Sequence, residues 1–215
     1  MTLERFFDTY GLMLLKAIGT HLMYVVVSVS AGFVVALVLG VLLSRVPRLS
    51  KVILPVISIF QTIPGIVFIG VLFLWIGMVP LTVFIALGVY AVFPILKNTY
   101  VGILSVEDKY KEAARGCGMG KWAILTRVEL PLAMPTIIAG VRMSAIYTVS
   151  WAVLSTMIGL GGLGEFIYRG INTNNNELIL IGALPAALMA IGIGLLIDWI
   201  QKKVTPRGLQ QGGVK

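Results

Sequence analysis

The spacing of the charged residues limits the folds open to this chain more than any other feature. Residues 17–44, 52–96, 143–164 and 178–197 contain no Asp, Glu, Lys or Arg. A helix that crosses a bilayer needs roughly 20 apolar residues, each advancing about 1.5 Å. Only 12% of the 215 residues are charged, whereas soluble domains average about 25%. These stretches therefore predict membrane-spanning helices.

The uncharged stretches predict an all-α, polytopic membrane bundle of about five helices in one domain, 1–215. The stretch 52–96 corresponds to roughly 67 Å of helix, which is enough for two crossings. We place the turn between them at the Gly/Pro break 77–80. The predicted spans are about 17–44, 52–76, 80–96, 132–158 and 177–201. A break at 61–65, or a re-entrant segment within 159–175, would add a sixth.

The Lys and Arg residues predict the orientation in the cell membrane. Thirteen of them lie between spans one and two, between spans three and four or after span five, and three lie on the other side. Cytoplasmic loops carry the excess of Lys and Arg. We therefore expect the N-terminus outside, and the C-terminus and loop 97–130 in the cytoplasm. The net charge of +8 then reflects topology and lipid headgroups, and we expect no nucleic acid partner.

Few residues are available for catalysis or metal binding. The chain has one cysteine, Cys117, and one histidine, His21, too few for a Cys- or His-based cluster. It contains no Gly-x-x-x-x-Gly-Lys-Ser/Thr phosphate-binding loop and no evident pair of nucleophile and base. We expect a protein without catalytic residues, without a metal site and without a bound cofactor.

Small residues recur every fourth position in two of the predicted spans. They are Gly32, Ala36 and Gly40 in the first, and Gly182, Ala186, Ala190 and Gly194 in the fifth. Small residues at this spacing let helices approach closely in lipid. The sequence leaves open whether the contacts lie within one subunit or at a seam between two.

The long loop 97–130 predicts two short helices. Ser105, followed by two acids, predicts a hydroxyl N-cap with negative charge in the first turn, and that helix would end near Arg115. A second helix is expected at 122–128, and Pro131 would open the next span. By composition alone the two helices could simply lie at the membrane interface.

The same loop contains a spaced pattern of five elements. The pattern is Glu112-Ala113-Ala114, three residues, Gly118, nine residues, Val128, one residue, and Leu130-Pro131. It resembles the EAA loop of ABC importer permeases, in which the position of Val128 is usually Ile. Further segments, at 61–64, 97–103 and 158–165, resemble permeases for glycine betaine, carnitine, choline and related osmoprotectants. Methionine importer permeases are similar in length and layout and are the nearest alternative.

The resemblance implies the fold of a type I ABC importer permease and a division of labour between subunits. Two cytoplasmic ATPase subunits would bind ATP and Mg²⁺ and hydrolyse the nucleotide. An extracytoplasmic solute-binding protein would deliver the solute, and two permease subunits, identical or related, would form the passage. This chain would be the non-catalytic permease.

The resemblance also implies which residues couple the permease to the ATPase. The matching coupling residues are Glu112, Ala113, Ala114, Gly118, Val128, Leu130 and Pro131. Residues that could flank the contact are Lys109, Tyr110, Arg115 and Met119. For the charged members of this flank, contact with lipid headgroups is the alternative.

Candidate residues for the passage lie in the second apolar stretch. Gln61 and Thr62 are polar residues beside Pro64, and polar groups at membrane depth need partners or water. We expect this segment to line the translocation path, with a purely structural kink as the alternative. An ion-coupled secondary transporter would need ionisable residues near the midplane. The uncharged stretches argue against that class, and Arg142, about 11 residues into the fourth span, is the one exception that we weigh.

Four aromatic residues and one glycine-rich run are given only a general structural role. The aromatic residues Trp75, Tyr90, Tyr147 and Trp151 lie in or near spans and are expected to serve packing or the interface. The glycine-rich run 159–164 predicts a bend or short re-entrant element at the outer face, near the binding protein, with a plain loop as the alternative.

Overall fold

The computed structural model describes residues 3–205, with side chains from Tyr10 onward except Met157, and these residues form helices joined by short turns. The helices are α1 (Leu3–Arg45), α2 (Pro47–Phe60), α3 (Gly65–Ile76), α4 (Pro80–Leu104), α5 (Asp108–Gly116), α6 (Lys121–Ile124), a π-helical segment (Leu125–Glu129), α7 (Leu130–Ala152), a 3₁₀ segment (Val153–Ile158), α8 (Gly164–Asn172) and α9 (Asn176–Val204). The predicted all-α membrane bundle is confirmed.

Among the described residues, four segments are long and apolar enough to cross a membrane. They are Tyr10–Arg45, Pro80–Leu104, Lys121–Thr156 and Asn176–Val204. The pair α2 and α3 could form a fifth crossing, but the two helices meet at 90°. The second predicted span is therefore a broken helix, and the long helices extend past the uncharged stretches at their ends.

The break between α2 and α3 follows from Pro64. Proline has no N–H to bond the carbonyl four residues earlier, and it disfavours helical backbone in the residue before it. The two preceding N–H groups instead bond carbonyls three residues earlier, as in a 3₁₀ turn. The Thr62 N–H bonds the Ile59 carbonyl at 2.9 Å, and the Ile63 N–H bonds the Phe60 carbonyl at 3.2 Å. The chain then restarts as α3 with Pro64 as its N-cap.

Both stripes of small residues pack inside the subunit. A methyl group added at Gly32 would lie 3.0 Å from the Ala91 Cβ of α4, and one added at Gly40 would lie 2.7 Å from the Thr99 side chain. On α9, a methyl group at Gly182 would lie 2.6 Å from the Leu163 carbonyl. The close contacts of these stripes therefore join α1 to α4 and α9 to its neighbours within the bundle.

The glycine-rich segment after α7 forms a turn anchored to α1. His21 Nε2 donates to the Val149 carbonyl at 3.0 Å, and its Nδ1 accepts from the Leu163 N–H at 3.4 Å. The Tyr24 hydroxyl donates to the Leu160 carbonyl at 2.9 Å. The helix that follows, α8, has 9 residues. It is therefore too short for a sixth crossing, which needs roughly 20 residues.

Candidate functional site

The first part of the candidate site is α5, in the loop between α4 and α7. Its predicted N-cap is wrong: the Ser105 hydroxyl donates to the Gly102 carbonyl at 2.8 Å and finishes α4. Ser105 has helical backbone angles, whereas an N-cap is usually extended. The N-cap is Glu107, without a side-chain capping bond, and Asp108 supplies the negative charge of the first turn.

The C-terminus of α5 explains why Gly118 stands where it does. The Met119 N–H bonds the Ala114 carbonyl at 3.0 Å, and the Gly118 N–H bonds the Arg115 carbonyl at 2.9 Å. These two bonds form a Schellman motif, which needs a left-handed residue after the helix. Gly118 has a φ of 77°, and glycine adopts that angle without the clash that a Cβ causes.

The exposed surface of α5 carries two of the seven predicted coupling residues and part of the predicted flank. Glu112, Ala113 and Arg115 are exposed, whereas Ala114 is buried. Lys109 and Tyr110, from the predicted flank, are exposed too. A helix with alanine on its outer surface lets a partner approach closely, because little side chain stands between the two backbones.

Two local ion pairs hold four charged side chains at the start of α5. Lys111 Nζ lies 2.8 Å from Asp108 Oδ1, and this hydrogen bond lowers the pKa of the Asp108 carboxyl. Lys109 Nζ lies 2.6 Å from Glu107 Oε2, and the hydrogen bond from Lys109 to Glu107 raises the pKa of the lysine. Exposed pairs of this kind stabilise a protein little, so we expect them to shape the surface rather than stabilise the fold.

The loop returns to the membrane without a break. α6 runs through the π-helical segment into α7, where the Leu130 N–H bonds the Leu125 carbonyl, five residues earlier. Pro131 has no N–H to offer the Arg127 carbonyl, so the ordinary helical pattern cannot continue there. Pro131 lies in the first turn of α7, as expected, although α7 follows directly from the π-helical segment. Val128, Leu130 and Pro131 lie half-buried at this junction.

The loop pattern did not predict an ion pair that lies at the same junction. Arg45, at the end of α1, donates through Nη1 to Glu129 Oε1 at 3.1 Å and also pairs through Nη2 with Glu129 Oε2. Glu129 is 3% exposed. The available signal was an acid between the apolar residues Val128 and Leu130. A groove of about 660 Å³ borders the pair, lined in part by Arg115 and Trp122.

The predicted passage residues lie together at the break between α2 and α3. Gln61 is half-buried, and Thr62 and Pro64 are exposed. The Thr62 hydroxyl donates to the Ile59 carbonyl at 2.7 Å, and the Tyr90 hydroxyl donates to the Ile63 carbonyl at 2.6 Å. Polar groups freed by the break thus find partners, and Tyr90 fixes the break to α4.

A groove of about 470 Å³ lies at the opposite end of the bundle from α5, beside α8. Its lining includes Glu165 and Arg169, one helical turn apart, and the neighbouring Thr156. Across residues 10–205, leaving Met157 aside, no three His, Cys, Asp or Glu side chains gather as metal ligands would. Charged and polar surface at both ends of an apolar bundle suits a protein with partners on each side of a membrane.

Comparison with known proteins gives the family. Residues 13–209 match the family described as the binding-protein-dependent transport system inner membrane component. The chain is 35% identical to the carnitine transport permease protein OpuCB of Listeria monocytogenes, over 96% of this chain and 94% of the relative. It is 39% identical to the glycine betaine/carnitine/choline transport system permease protein OpuCB of Bacillus subtilis, over 95% of this chain and 94% of that relative.

A solved structure agrees with the fold. The MetNI methionine ABC transporter in an inward-facing form superposes with a TM-score of 0.83 at 22% identity, over 96% of this chain and 100% of that chain. The resemblance read from the loop pattern is confirmed, while the coupling and passage roles of single residues stay predictions. The chain belongs to the family of inner membrane components of binding-protein-dependent transport systems and is an integral membrane permease of the ABC importer type.

Proposed function

We propose that this chain is the permease subunit of an ATP-driven importer for a quaternary-ammonium osmoprotectant such as glycine betaine, carnitine or choline. The observation that carries this proposal is the alignment with carnitine and glycine betaine/carnitine/choline permeases over about the whole chain, at 35% and 39% identity. The similarity to the methionine transporter, at 22% identity, supports the fold but not that substrate.

The coupling element in this proposal is α5. Two ATPase subunits would hydrolyse ATP with Mg²⁺ in the cytoplasm, and this chain would bind neither. The exposed Glu112 and Ala113 would meet the ATPase, with Lys109, Tyr110 and Arg115 beside them. Movement would pass through the junction at Leu130 and Pro131 into α7. The ion pair between Arg45 and Glu129 ties that junction to the end of α1, which supports movement of both helices together.

The remaining partners follow from the two ends of the bundle. We propose that the groove beside α8 receives the solute-binding protein and that a second permease, identical or related, completes the passage. The N-terminus of α1 would then lie outside the cell membrane, and α5 and the C-terminus in the cytoplasm. The excess of Lys and Arg at the α5 end supports this orientation.

Transport by the reconstituted complex tests the proposal. The permease would be placed in proteoliposomes with its ATPase and binding protein, and uptake of labelled glycine betaine, carnitine, choline and methionine would be compared with and without internal ATP. We expect ATP-dependent uptake of at least one quaternary-ammonium solute and none of methionine. Uptake of methionine alone, or uptake driven by an ion gradient without ATP, would contradict the proposal.

A further inference from the structure

An ion pair joins two membrane-spanning helices on their exposed side. Arg142 of α7 and Asp198 of α9 meet at 2.8 Å between Nε and Oδ1. Their side chains are 45% and 39% exposed, so the pair is not enclosed by this subunit. The apolar residues Ile191 and Leu195 of α9 are exposed beside it. The pair is thus a charged patch that borders apolar surface.

Lipid is an unfavourable neighbour for this patch. Charged side chains in membrane spans almost always face a water-filled cavity or the interior of a bundle, because burial in hydrocarbon is costly. Asp198 lies four residues, roughly 6 Å, closer to the middle of α9 than Lys202 does. Gln201 and Tyr147 line the same groove, which has a volume of about 500 Å³. Four polar side chains on one groove indicate that it faces water or another protein chain.

Aromatic rings lead from this groove to the predicted passage residues. The Tyr147 ring is half-exposed, and its centroid lies 6.0 Å from that of Trp151. The Trp151 ring lies 4.5 Å from the Tyr90 ring. Tyr90 in turn bonds the carbonyl of Ile63, within the break that contains Gln61, Thr62 and Pro64. Tyr90, Tyr147 and Trp151 thus pack against one another, and the row joins the break to the groove of the charged pair.

We propose that the groove between α7 and α9 is a transient site for the transported zwitterion. The Arg142 guanidinium would bind the solute carboxylate. The Asp198 carboxylate and the Tyr147 ring would hold the quaternary ammonium group, the ring through cation–π attraction. When the solute binds, the pair of Arg142 and Asp198 is replaced by two pairs, one between Arg142 and the solute carboxylate and one between Asp198 and the ammonium group. Each protein charge therefore keeps a partner. The inference rests on the proposed function, since it assigns a solute-binding site within that permease.

The solutes themselves distinguish the two charges. Glycine betaine has both a carboxylate and a quaternary ammonium group, whereas choline has only the ammonium group. We expect Arg142→Gln to lower uptake of glycine betaine about tenfold relative to choline, because a hydrogen bond to a charged group is lost. Asp198→Asn should lower uptake of both solutes. The ratio of the two uptake rates within one vesicle preparation does not depend on the amount of folded complex.

Conservative and charge-free variants serve as controls. Arg142→Lys keeps the cation and should restore most of the preference for glycine betaine. The double variant Arg142→Gln/Asp198→Asn leaves no charge without its partner, and it should still take up less glycine betaine relative to choline. A role limited to joining α7 to α9 predicts instead that both solutes fall in parallel in every variant, which would overturn the inference.

The wild-type complex separates failure of this site from failure of the proposed function. Wild-type uptake of choline but not glycine betaine would overturn the carboxylate-binding role of Arg142. Uptake of neither solute, nor of carnitine, would contradict the proposed function itself.

Discussion

At the scale of single residues, the pair of Arg45 and Glu129 gives an asymmetric prediction. Arg45→Ala leaves the Glu129 carboxylate buried without its partner, at 3% exposure. Glu129→Ala leaves Arg45 at the surface, where its side chain is already 44% exposed and water can solvate it. Breaking a buried pair from one side costs about 3 kcal/mol, so Arg45→Ala should be clearly the more destabilising change.

Thermal unfolding of the detergent-purified permease measures this asymmetry. The double variant Arg45→Ala/Glu129→Ala should be more stable than Arg45→Ala alone, because it removes the unpaired carboxylate. Equal losses from the two single substitutions, or a larger loss from Glu129→Ala, would show that the pair does not behave as a buried carboxylate held by an exposed arginine.

Some residue roles could be predicted from the sequence, and others could not. The spacing of the loop pattern singled out Gly118, and the positive φ at that position supplies the physical reason. The cap at Ser105 was mispredicted because α4 continues to Leu104, and a residue finishing one helix cannot adopt the extended angles of a cap. Arg45 and Glu129 are 84 positions apart, so local pattern could not bring them together.

At the scale of elements, the break between α2 and α3 tests the passage assignment. Native Cys117 is exposed and would first be replaced by Ser. Single cysteines at 58–66 would then be treated with a membrane-impermeant thiol reagent, with and without ATP. Thr62→Cys and Pro64→Cys should react if the segment lines a water-filled passage, because neither position is covered by the rest of this subunit. The rates should then change with ATP as the passage opens and closes.

Ile69→Cys is the matched control on α3, since Ile69 is 3% exposed and should not react. A segment whose nine positions stay unlabelled in every transport state would be a structural kink, and the passage assignment would be withdrawn. The sequence predicted a break here as an option only, because an uncharged stretch shows where helix can cross a membrane but not the angle at which two helices meet.

At the scale of the whole molecule, the positions of the charges predicted the helical bundle, because ionisable groups mark where apolar helices leave the membrane. The lateral arrangement could not be predicted in this way. The four-residue stripes allowed contacts within or between subunits, and only the packing of Gly32 against Ala91 and of Gly182 against Leu163 decided the question. The charged groove at Arg142 depends on the same arrangement.

The central claim is that an ATPase drives this permease through α5. The most direct test measures ATP hydrolysis and glycine betaine uptake in the same proteoliposomes, for the wild type, Glu112→Lys and Gly118→Asp. Glu177→Lys makes the same charge change as Glu112→Lys, at the N-terminal end of α9, and serves as the control.

Both α5 variants should lose uptake and binding-protein-stimulated hydrolysis together, because a reversed charge or a distorted helix end prevents docking. Glu177→Lys should retain most of both activities. Hydrolysis and uptake at wild-type levels in Glu112→Lys and Gly118→Asp would contradict coupling through α5.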